Sequence, residues 1–222
     1  MTLERRTPPE YIYRVSRSQK PWVYVDWFPP EAPPELRGRF DAPDKSYGVL
    51  YGGSQPIACF AETMAKFRLN LKVLAELAKI KGLDDYPATR IDTWIESRYI
   101  AKARVAGIFA DIYSSEWMNC LHDELATTVK ELGRRSEKYR NLKYIDVAIM
   151  QSDQYRELTQ AASRIARNRG FNGIYYRSRF GHDFENWAIF EPFGVTPEDS
   201  ERLDPNDPDL RKMMALYGLT AG

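Results

Sequence analysis

The 222-residue chain is poor in the side chains and motifs on which many enzymes depend, with only two histidines. His122 and His182 stand in no HExxH or other ligand-rich spacing, which argues against a metal-dependent hydrolase, and His182 is interpreted as a surface-loop residue. The sequence also lacks GxGxxG, GxxxxGK[ST] and GxSxG motifs. These absences disfavour dinucleotide-fold, phosphate-loop and triad chemistry, and we expect no metal.

The positions of the cysteines indicate the cellular compartment, and the net charge indicates which classes of binding partner to expect. Cys59 and Cys120 lie far apart in helical patterns, which favours reduced thiols and a cytoplasmic location over a disulfide framework. The net charge is +1, so the overall balance predicts no direct nucleic-acid binding and no anionic membrane surface as partner. No apolar segment reaches the ~18 residues of a membrane-spanning helix, so we expect no membrane insertion. The N-terminal "MTLERRTPPEYIYRV" has no apolar signal-peptide core, so we expect no export.

Composition and patterning predict the fold class. Hydrophobic residues make up 43% and charged residues 28% of the chain, as in globular proteins with a substantial core. No linker or internal repeat divides the sequence, so we expect a single domain over residues 1–222, with its core at about 11–192 and a C-terminal extension at about 193–222. Strand and helix patterns mix without strict βαβ alternation, which predicts an α+β fold.

Aromatic and β-branched segments predict the strands, and apolar positions at helical spacing predict the helices. The strand segments are "YIYRVSR" (11–17), "YGVLY" (47–51), "YIAKARV" (99–105), "IFADIY" (108–113), "GIYYRS" (173–178) and "WAIFEPF" (187–193). The helix segments are "IACFAETMAKF" (57–67), "LNLKVLAELAKIK" (69–81), a run over 115–135, "QYRELTQAASRIARNRG" (154–170) and a short final helix after "TPEDSERLDPNDPDL". The two segments around Ala106 and Gly107 resemble a hairpin or paired strands.

Local residues refine these boundaries. Five prolines in residues 20–37 predict an irregular surface excursion. Ser54 is a candidate N-cap for the first helix, with Pro56 in its first turn. Gly82 and Gly170 are the expected ends of two later helices.

Two arginines are candidate phosphate ligands. Arg14 lies within a strand pattern, and Arg39 follows Gly38, which allows close approach of the backbone to a ligand. On inward-facing positions, two guanidinium groups can clamp a diphosphate by bidentate hydrogen bonds. The alternative is that either arginine extends to solvent or pairs with a surface carboxylate.

Tyr51 and Glu62 lie on either side of a Gly-Gly turn, which lets a strand-end aromatic and a helix carboxylate face one cleft. Apolar residues surround Glu62 in the sequence, so this acid must be partnered or functional. Ser178 follows a strand between Arg177 and Arg179 and is typical of a turn residue or cap. No general base is recognisable near it in the sequence, so Ser178 is not predicted to be a nucleophile.

The order and spacing of several short motifs resemble the RES domain family, which is named for its arginine, glutamate and serine. These motifs are "YRV" with Arg14, "GRFD" with Arg39, "YGVLY" with Tyr51, "FAET" with Glu62 and "GIYYRSR" with Ser178, followed by "WAIFE". The resemblance covers about residues 11–192. It departs from the family pattern at "GRFD" and "YGG", where many members have a GRW-type sequence and a serine after the tyrosine.

The resemblance implies a fold like that of ADP-ribosyltransferases, with mixed central sheets flanked by helices. It implies the toxin of a bacterial toxin–antitoxin pair, with an Xre-type helix-turn-helix antitoxin as partner and NAD+ as substrate. The NAD+ would be cleaved by glycohydrolysis or phosphorolysis, or its ADP-ribose transferred to a protein. The implied roles are phosphate and ribose binding for Arg14 and Arg39, the nicotinamide side for Tyr51, the reacting ribose for Glu62 and a supporting polar contact for Ser178.

Nicotinamide–ribose cleavage fits what the sequence lacks. Its transition state is oxocarbenium-like, so a carboxylate near the ribose stabilises it, and nicotinamide leaves as a neutral molecule without a general acid. Two other classes stay open: a binding module without turnover, and a ribonuclease-like toxin using Arg177 and Arg179. Near-neutral charge and the lack of a histidine pair speak against the ribonuclease. Water, phosphate and a protein side chain all remain possible acceptors.

Overall fold

The fold is seen in a computed structural model that describes residues 2–24, 38–80, 88–192 and 194–221. Its strands are β1 (Arg5–Arg6), β2 (Ile12–Ser16), β3 (Val49–Gly53), β4 (Thr89–Arg90), β5 (Tyr99–Val105), β6 (Phe109–Asp111), β7 (Gly173–Ser178), β8 (Gly181–Phe190), β9 (Val195–Arg202) and β10 (Leu219–Thr220). Its helices are α1 (Pro56–Met64), α2 (Leu71–Leu77), α3 (Asp92–Glu96), α4 (Ser115–Glu124), α5 (Ala126–Gly133), α6 (Glu137–Arg140), α7 (Val147–Gln151), α8 (Arg156–Asn168) and α9 (Pro208–Tyr217).

An eight-stranded sheet organises these elements, in the spatial order β1-β6-β7-β8-β3-β2-β5-β9. All pairs are antiparallel except β6 with β7. A parallel two-stranded sheet of β4 and β10 lies apart from it. Helices flank the large sheet, and the predicted α+β class is confirmed.

The strands β5 and β6 do not form the predicted hairpin, and that prediction was wrong. β5 pairs with β2 and β9, whereas β6 pairs with β1 and β7. In a flat sheet their positions would be about 24 Å apart, at roughly 4.8 Å per strand, farther than residues 106–108 can span at ~3.8 Å per residue. The sheet is therefore curled, and Gly107, at φ 133°, allows the sharp link between its two parts.

Three buried clusters cover this sheet. One joins α4 and α8 to β6 and β7 through residues such as Trp117, Leu121, Leu158, Ala162 and Ile174. A second packs α1, α3 and α9 together through Phe60, Met64, Trp94, Leu210 and Met213. The third contains Ile12, Leu50, Ala103, Trp187 and Ile189 from β2, β3, β5 and β8. The second cluster fixes α1, the helix that carries Glu62.

Several local predictions hold and others need correction. Pro56 starts α1 as predicted, but Gln55, not Ser54, is its N-cap residue. The Ser54 hydroxyl instead accepts the indole N–H of buried Trp187 at 2.8 Å and donates to Glu185. The helix pattern over 115–135 splits at Leu125, where α4 ends and α5 begins.

Gly170 follows α8 with φ 82°, as expected for a glycine at a helix end. Gly82 and most of the proline-rich segment 20–37 lie outside the described residues. The aspartate- and proline-rich stretch after residue 195 is not only a loop, because its first part forms β9, which pairs with β5 along residues 195–202. The segment set apart as an extension thus contributes a strand to the main sheet and α9 to the core.

Candidate active site

Glu62 is carried into the site by α1. The residues Ala58, Cys59, Phe60, Ala61 and Met64 are buried and fix the rotation of this helix against the sheet and α9. Glu62 is left half-buried at the edge of that apolar face. The sequence predicts that this acid is partnered or functional, and in the structure two strands supply hydrogen-bond donors to it.

One oxygen of the Glu62 carboxylate is held from two strands. Its Oε1 accepts a hydrogen bond from Ser178 Oγ at 2.7 Å and one from Asn186 Nδ2 at 3.0 Å. Ser178 and Asn186 are only 3% and 2% exposed. Ser178 Oγ also accepts the Phe180 N–H, so its own proton points to Glu62. Within the described residues Oε2 has no hydrogen-bond partner, which leaves this oxygen available to a ligand.

Arg14 lies on β2 beside the carboxylate-bearing helix. Its Nη1 donates to the Tyr51 carbonyl at 2.7 Å, while its buried Nε has no hydrogen-bond partner in the described part of the chain. Burial lowers the pKa of Arg14, and the nearby Cys59, Tyr51 and Asp41 only partly oppose this. A buried guanidinium with an unused donor is suited to an anionic ligand.

Arg39 approaches from the turn after Gly38. Its Nη1 donates weakly to the carbonyls of Met150 and Gln151, at 3.4 and 3.3 Å, and its guanidinium lies 4.9 Å from the Tyr176 ring centroid. Burial lowers the pKa of Arg39, but Tyr176, Tyr113 and Glu62 raise it by more, so the net pKa is above its ordinary value. Arg39 is therefore a fixed positive charge at the site.

Tyr51 on β3 holds the turn that carries Arg39. Its hydroxyl donates to Asp41 Oδ1 at 2.6 Å and accepts the Phe40 N–H at 2.9 Å, while Asp41 Oδ2 accepts the Gly38 N–H at 2.7 Å. A Cβ on Gly38 would fall 2.3 Å from the Tyr51 hydroxyl oxygen, so only glycine fits there. Burial, followed by the charge of Asp41, raises the pKa of Tyr51 well above its ordinary value. The hydroxyl is thus committed to the turn, and only the ring faces a ligand.

Four of the five predicted site residues line one cavity of about 360 Å³. Its lining consists of Arg14, Val15, Gly38, Arg39, Tyr51, Gly52, Cys59, Glu62, Thr63, Tyr176 and Asn186. Ser178 is absent from this lining and reaches the site through Glu62. Neither Arg14 nor Arg39 forms an ion pair with a surface carboxylate among the described residues, which speaks against the pairing part of the alternative raised for them.

Sequence reasoning missed Asn186, Tyr176 and Asp41 as site components. Asp41 and Tyr176 lie within motifs that were recognised, "GRFD" and "GIYYRS". Asn186 precedes the apolar run "WAIF", and an amide beside a buried strand is a signal that could have identified it. Outside the cavity, His182 is exposed at the start of β8 rather than in a loop, and Arg179 pairs with Asp153.

Cys59 also faces the cavity but is not a plausible nucleophile. Its Sγ donates to the Tyr13 carbonyl at 3.1 Å, and burial raises the pKa of this thiol to about 12. A thiol with that pKa is protonated at neutral pH and inert.

The family model described as RES domain matches residues 11–206. The chain belongs to the RES family. The match runs past residue 192 into β9, consistent with the pairing of that strand in the sheet.

This RES domain is similar to a chain in the crystal structure of the M. tuberculosis MbcT-MbcA toxin-antitoxin complex, with 13% identity over 96% of this chain and 92% of that chain. The TM-score of this match is 0.49. No curated protein matches the chain significantly.

Over residues 2–24, 38–80, 88–192 and 194–221, none of the helices has the length and apolar character needed to cross a membrane. In the same ranges His, Cys, Asp and Glu side chains form no group of three or more that could hold a metal ion.

Proposed function

We propose that this RES domain cleaves the bond between nicotinamide and ribose in NAD+, with Glu62 at the reacting ribose. The observation that carries the proposal is the carboxylate of Glu62, with Oε1 fixed by Ser178 and Asn186 and Oε2 open to a cavity that Arg14 and Arg39 flank. This arrangement combines a positioned negative charge with guanidinium groups for phosphate.

In the proposed reaction the bond from the pyridinium nitrogen to C1′ of the ribose breaks. Its electron pair goes to nicotinamide, which leaves neutral, and positive charge develops on the ribose ring. Glu62 stabilises that charge and orients the ribose 2′-hydroxyl. An acceptor oxygen then bonds to C1′, and its proton passes to solvent when the acceptor is water or a side chain.

The other walls of the cavity have complementary roles in this proposal. The Tyr51 ring provides a face for the cationic pyridinium, an interaction that strengthens when water is displaced. Arg14 and Arg39 supply charge for the phosphates and ribose, which holds the scissile bond beside Glu62. The Tyr176 face is already occupied by the Arg39 guanidinium.

We further propose that the chain acts as the toxin of a toxin–antitoxin pair, with an Xre-type helix-turn-helix antitoxin as its partner. Membership of the RES family supports this assignment. A partner can inhibit by placing a carboxylate or an acidic segment against the arginines of the cavity, without changing the fold.

The test is incubation of the purified protein with NAD+, with and without inorganic phosphate, followed by identification of products by mass spectrometry. Free ADP-ribose would identify water as acceptor, ADP-ribose 1″-phosphate would identify phosphate, and a labelled polypeptide would identify a protein side chain. Intact NAD+ after incubation with folded, soluble protein would contradict the proposal. Calorimetric binding of NAD+ without turnover would then favour the binding module.

A further inference from the structure

A second cavity, of about 470 Å³, adjoins the first. The two share Arg14, Val15, Glu62 and Thr63, so Glu62 stands at their junction. The remaining lining residues of the second cavity are Ser16, Arg17, Lys66, Trp94 and Arg98. Three of these five are cations, named here the cationic cluster: Arg17, Lys66 and Arg98.

The charges of the cationic cluster are not neutralised within the described residues. No carboxylate there forms an ion pair with Arg17, Lys66 or Arg98. Arg98 is only 8% exposed, and its Nη1 donates to the carbonyl and hydroxyl of its neighbour Ser97, at 3.1 and 2.8 Å. These neutral acceptors satisfy a donor without cancelling its charge. A nearly buried, uncompensated guanidinium is costly, and an anion in the cavity would remove that cost.

The three cations also repel one another. The pKa of Lys66 is lowered by burial and then by the charges of Arg98 and Arg17, and the pKa of Arg98 by burial and then by Arg17. This repulsion agrees with the cavity lining, in which all three groups border one space. A ligand with more than one negative charge suits that space best.

The positions of these residues relate the cationic cluster to the reacting ribose. Lys66 lies four residues after Glu62, in the 3-10 turn (Ala65–Phe67) that follows α1 directly. Arg17 directly follows β2, which carries Arg14, and Arg98 directly precedes β5, which pairs with β2. A ligand with its ribose at Glu62 therefore meets Tyr51, Tyr176 and Arg39 on one side, and the cationic cluster with Trp94 on the other.

We propose that the cationic cluster binds the diphosphate of the dinucleotide, so that the substrate lies across Glu62 with nicotinamide in the first cavity and diphosphate in the second. Arg14, at the junction, contacts the diphosphate together with the cluster. This inference rests on the proposed function and deepens it. In this arrangement the phosphate role given above to Arg14 and Arg39 passes to Arg14 and the cluster, and Arg39, which lies over Tyr176, faces the ribose.

The test is calorimetric titration with two probes, ADP-ribose and nicotinamide riboside, against wild type, Arg17→Gln, Lys66→Gln and Arg98→Gln. ADP-ribose contains the diphosphate, whereas nicotinamide riboside contains the scissile bond without phosphate. Each substitution should weaken ADP-ribose binding by roughly tenfold, the effect of one charged hydrogen bond. Nicotinamide riboside affinity should stay within about twofold of wild type.

Arg104→Gln is the matched control, because Arg104 is an exposed β5 arginine whose guanidinium pairs with Glu198 and Glu10. It should leave ADP-ribose affinity unchanged. Arg17 and Lys66 are exposed, so their variants keep the test valid if Arg98→Gln fails to fold. Thermal unfolding of each variant monitors this.

Three results would overturn the inference. They are no binding of ADP-ribose to wild type, unchanged ADP-ribose affinity in the Arg17 and Lys66 variants, or a loss of nicotinamide riboside affinity as large as the loss of ADP-ribose affinity. If the variants change only the dependence of NAD+ turnover on inorganic phosphate, the cluster binds the acceptor phosphate and not the diphosphate. This result would also overturn the inference. The proposed function fails separately, when NAD+ stays intact although wild type binds ADP-ribose and the variants bind it weakly.

Discussion

The two oxygens of the Glu62 carboxylate have different environments, and this difference bears on its chemistry. Oε1 is held by two buried donors and cannot rotate away without breaking both hydrogen bonds. Oε2 is therefore directed to the place where charge develops in the proposed reaction. Preorganisation of this kind costs no rearrangement at the moment of reaction.

Replacement of Glu62 by glutamine should abolish most turnover while retaining ligand binding. The amide keeps the size of the side chain but removes the negative charge, so the expected loss is ~3 kcal/mol, about a hundredfold in rate. NAD+ consumption and ADP-ribose affinity are measured in parallel. Glu131→Gln, on α5 away from the cavity, is the control. Turnover at the wild-type rate in the Glu62 variant would refute the assignment.

In the proposed reaction Ser178 acts on the ribose only through Glu62, so Ser178→Ala should change the rate more than substrate affinity. Asn186 still holds Oε1 in this variant, and the expected loss in kcat is roughly tenfold, the effect of one hydrogen bond to a charged group. Steady-state kinetics should show KM within about twofold of wild type. A rise in KM with constant kcat would instead make Ser178 a binding residue.

At the scale of elements, the turn over residues 38–41 is tied to α8, where Gln160 and Ser163 donate to the Gly38 and Phe40 carbonyls, and to β3. The Tyr51 hydroxyl joins the turn to β3 through Asp41 and the Phe40 N–H. Tyr51→Phe removes both hydrogen bonds but leaves the ring, so the free energy of unfolding should fall by ~2 kcal/mol. Urea denaturation measures this loss.

The same substitution should lower turnover, because Arg39 loses its fixed position while the aromatic wall remains. Tyr144→Phe, at an exposed tyrosine, is the matched control and should change neither property. An unaltered free energy of unfolding in Tyr51→Phe would mean that the turn is held by other contacts.

Much of the candidate site could be predicted because its residues stand in short motifs on single elements. Arg14, Tyr51 and Glu62 are each recognisable from one strand or helix, and the family pattern fixes their order. The pairing of the strands was harder to predict from the sequence. Three residues between β5 and β6 favour a hairpin locally, yet each strand obtains its backbone partners from elsewhere in the curled sheet.

The cationic cluster could not be recognised from the sequence, for a related reason. Arg17, Lys66 and Arg98 come from the end of β2, the turn after α1 and the start of β5, and no spacing links them. Asn186 likewise reaches Glu62 only because β8 lies beside β3 in the sheet. Such tertiary neighbours depend on the topology, which periodicity alone does not specify.

At the scale of the whole molecule, β9 and α9 are structural parts of the domain. Leu210, Met213 and Met214 of α9 are buried against α1. Loss of one such side chain costs ~2–5 kcal/mol, and a domain has only ~5–15 kcal/mol in total. A chain ending at residue 192 should therefore be insoluble or unfolded. Circular dichroism of the truncated protein tests this, and a native-like thermal transition would contradict it.

The proposed function predicts a cellular effect of the intact chain. Expression in a bacterium should lower NAD+ and arrest growth, and co-expression of a helix-turn-helix partner encoded beside it should relieve both. Enzymatic cycling measures NAD+, with Glu62→Gln at matched soluble yield as the control. Normal NAD+ during expression of the wild-type chain alone would oppose the toxin assignment.

The hydrogen bonds on Glu62 also set when this site can exist during synthesis. Ser178 and Asn186 follow Glu62 by 116 and 124 residues, so the ribosome releases the carboxylate long before its supports. At roughly 5–20 residues per second, the delay is roughly 6–25 seconds. The nascent chain is therefore without an assembled site until β8 with Asn186 has left the ribosome, and the proposed partner can meet that site only after this point.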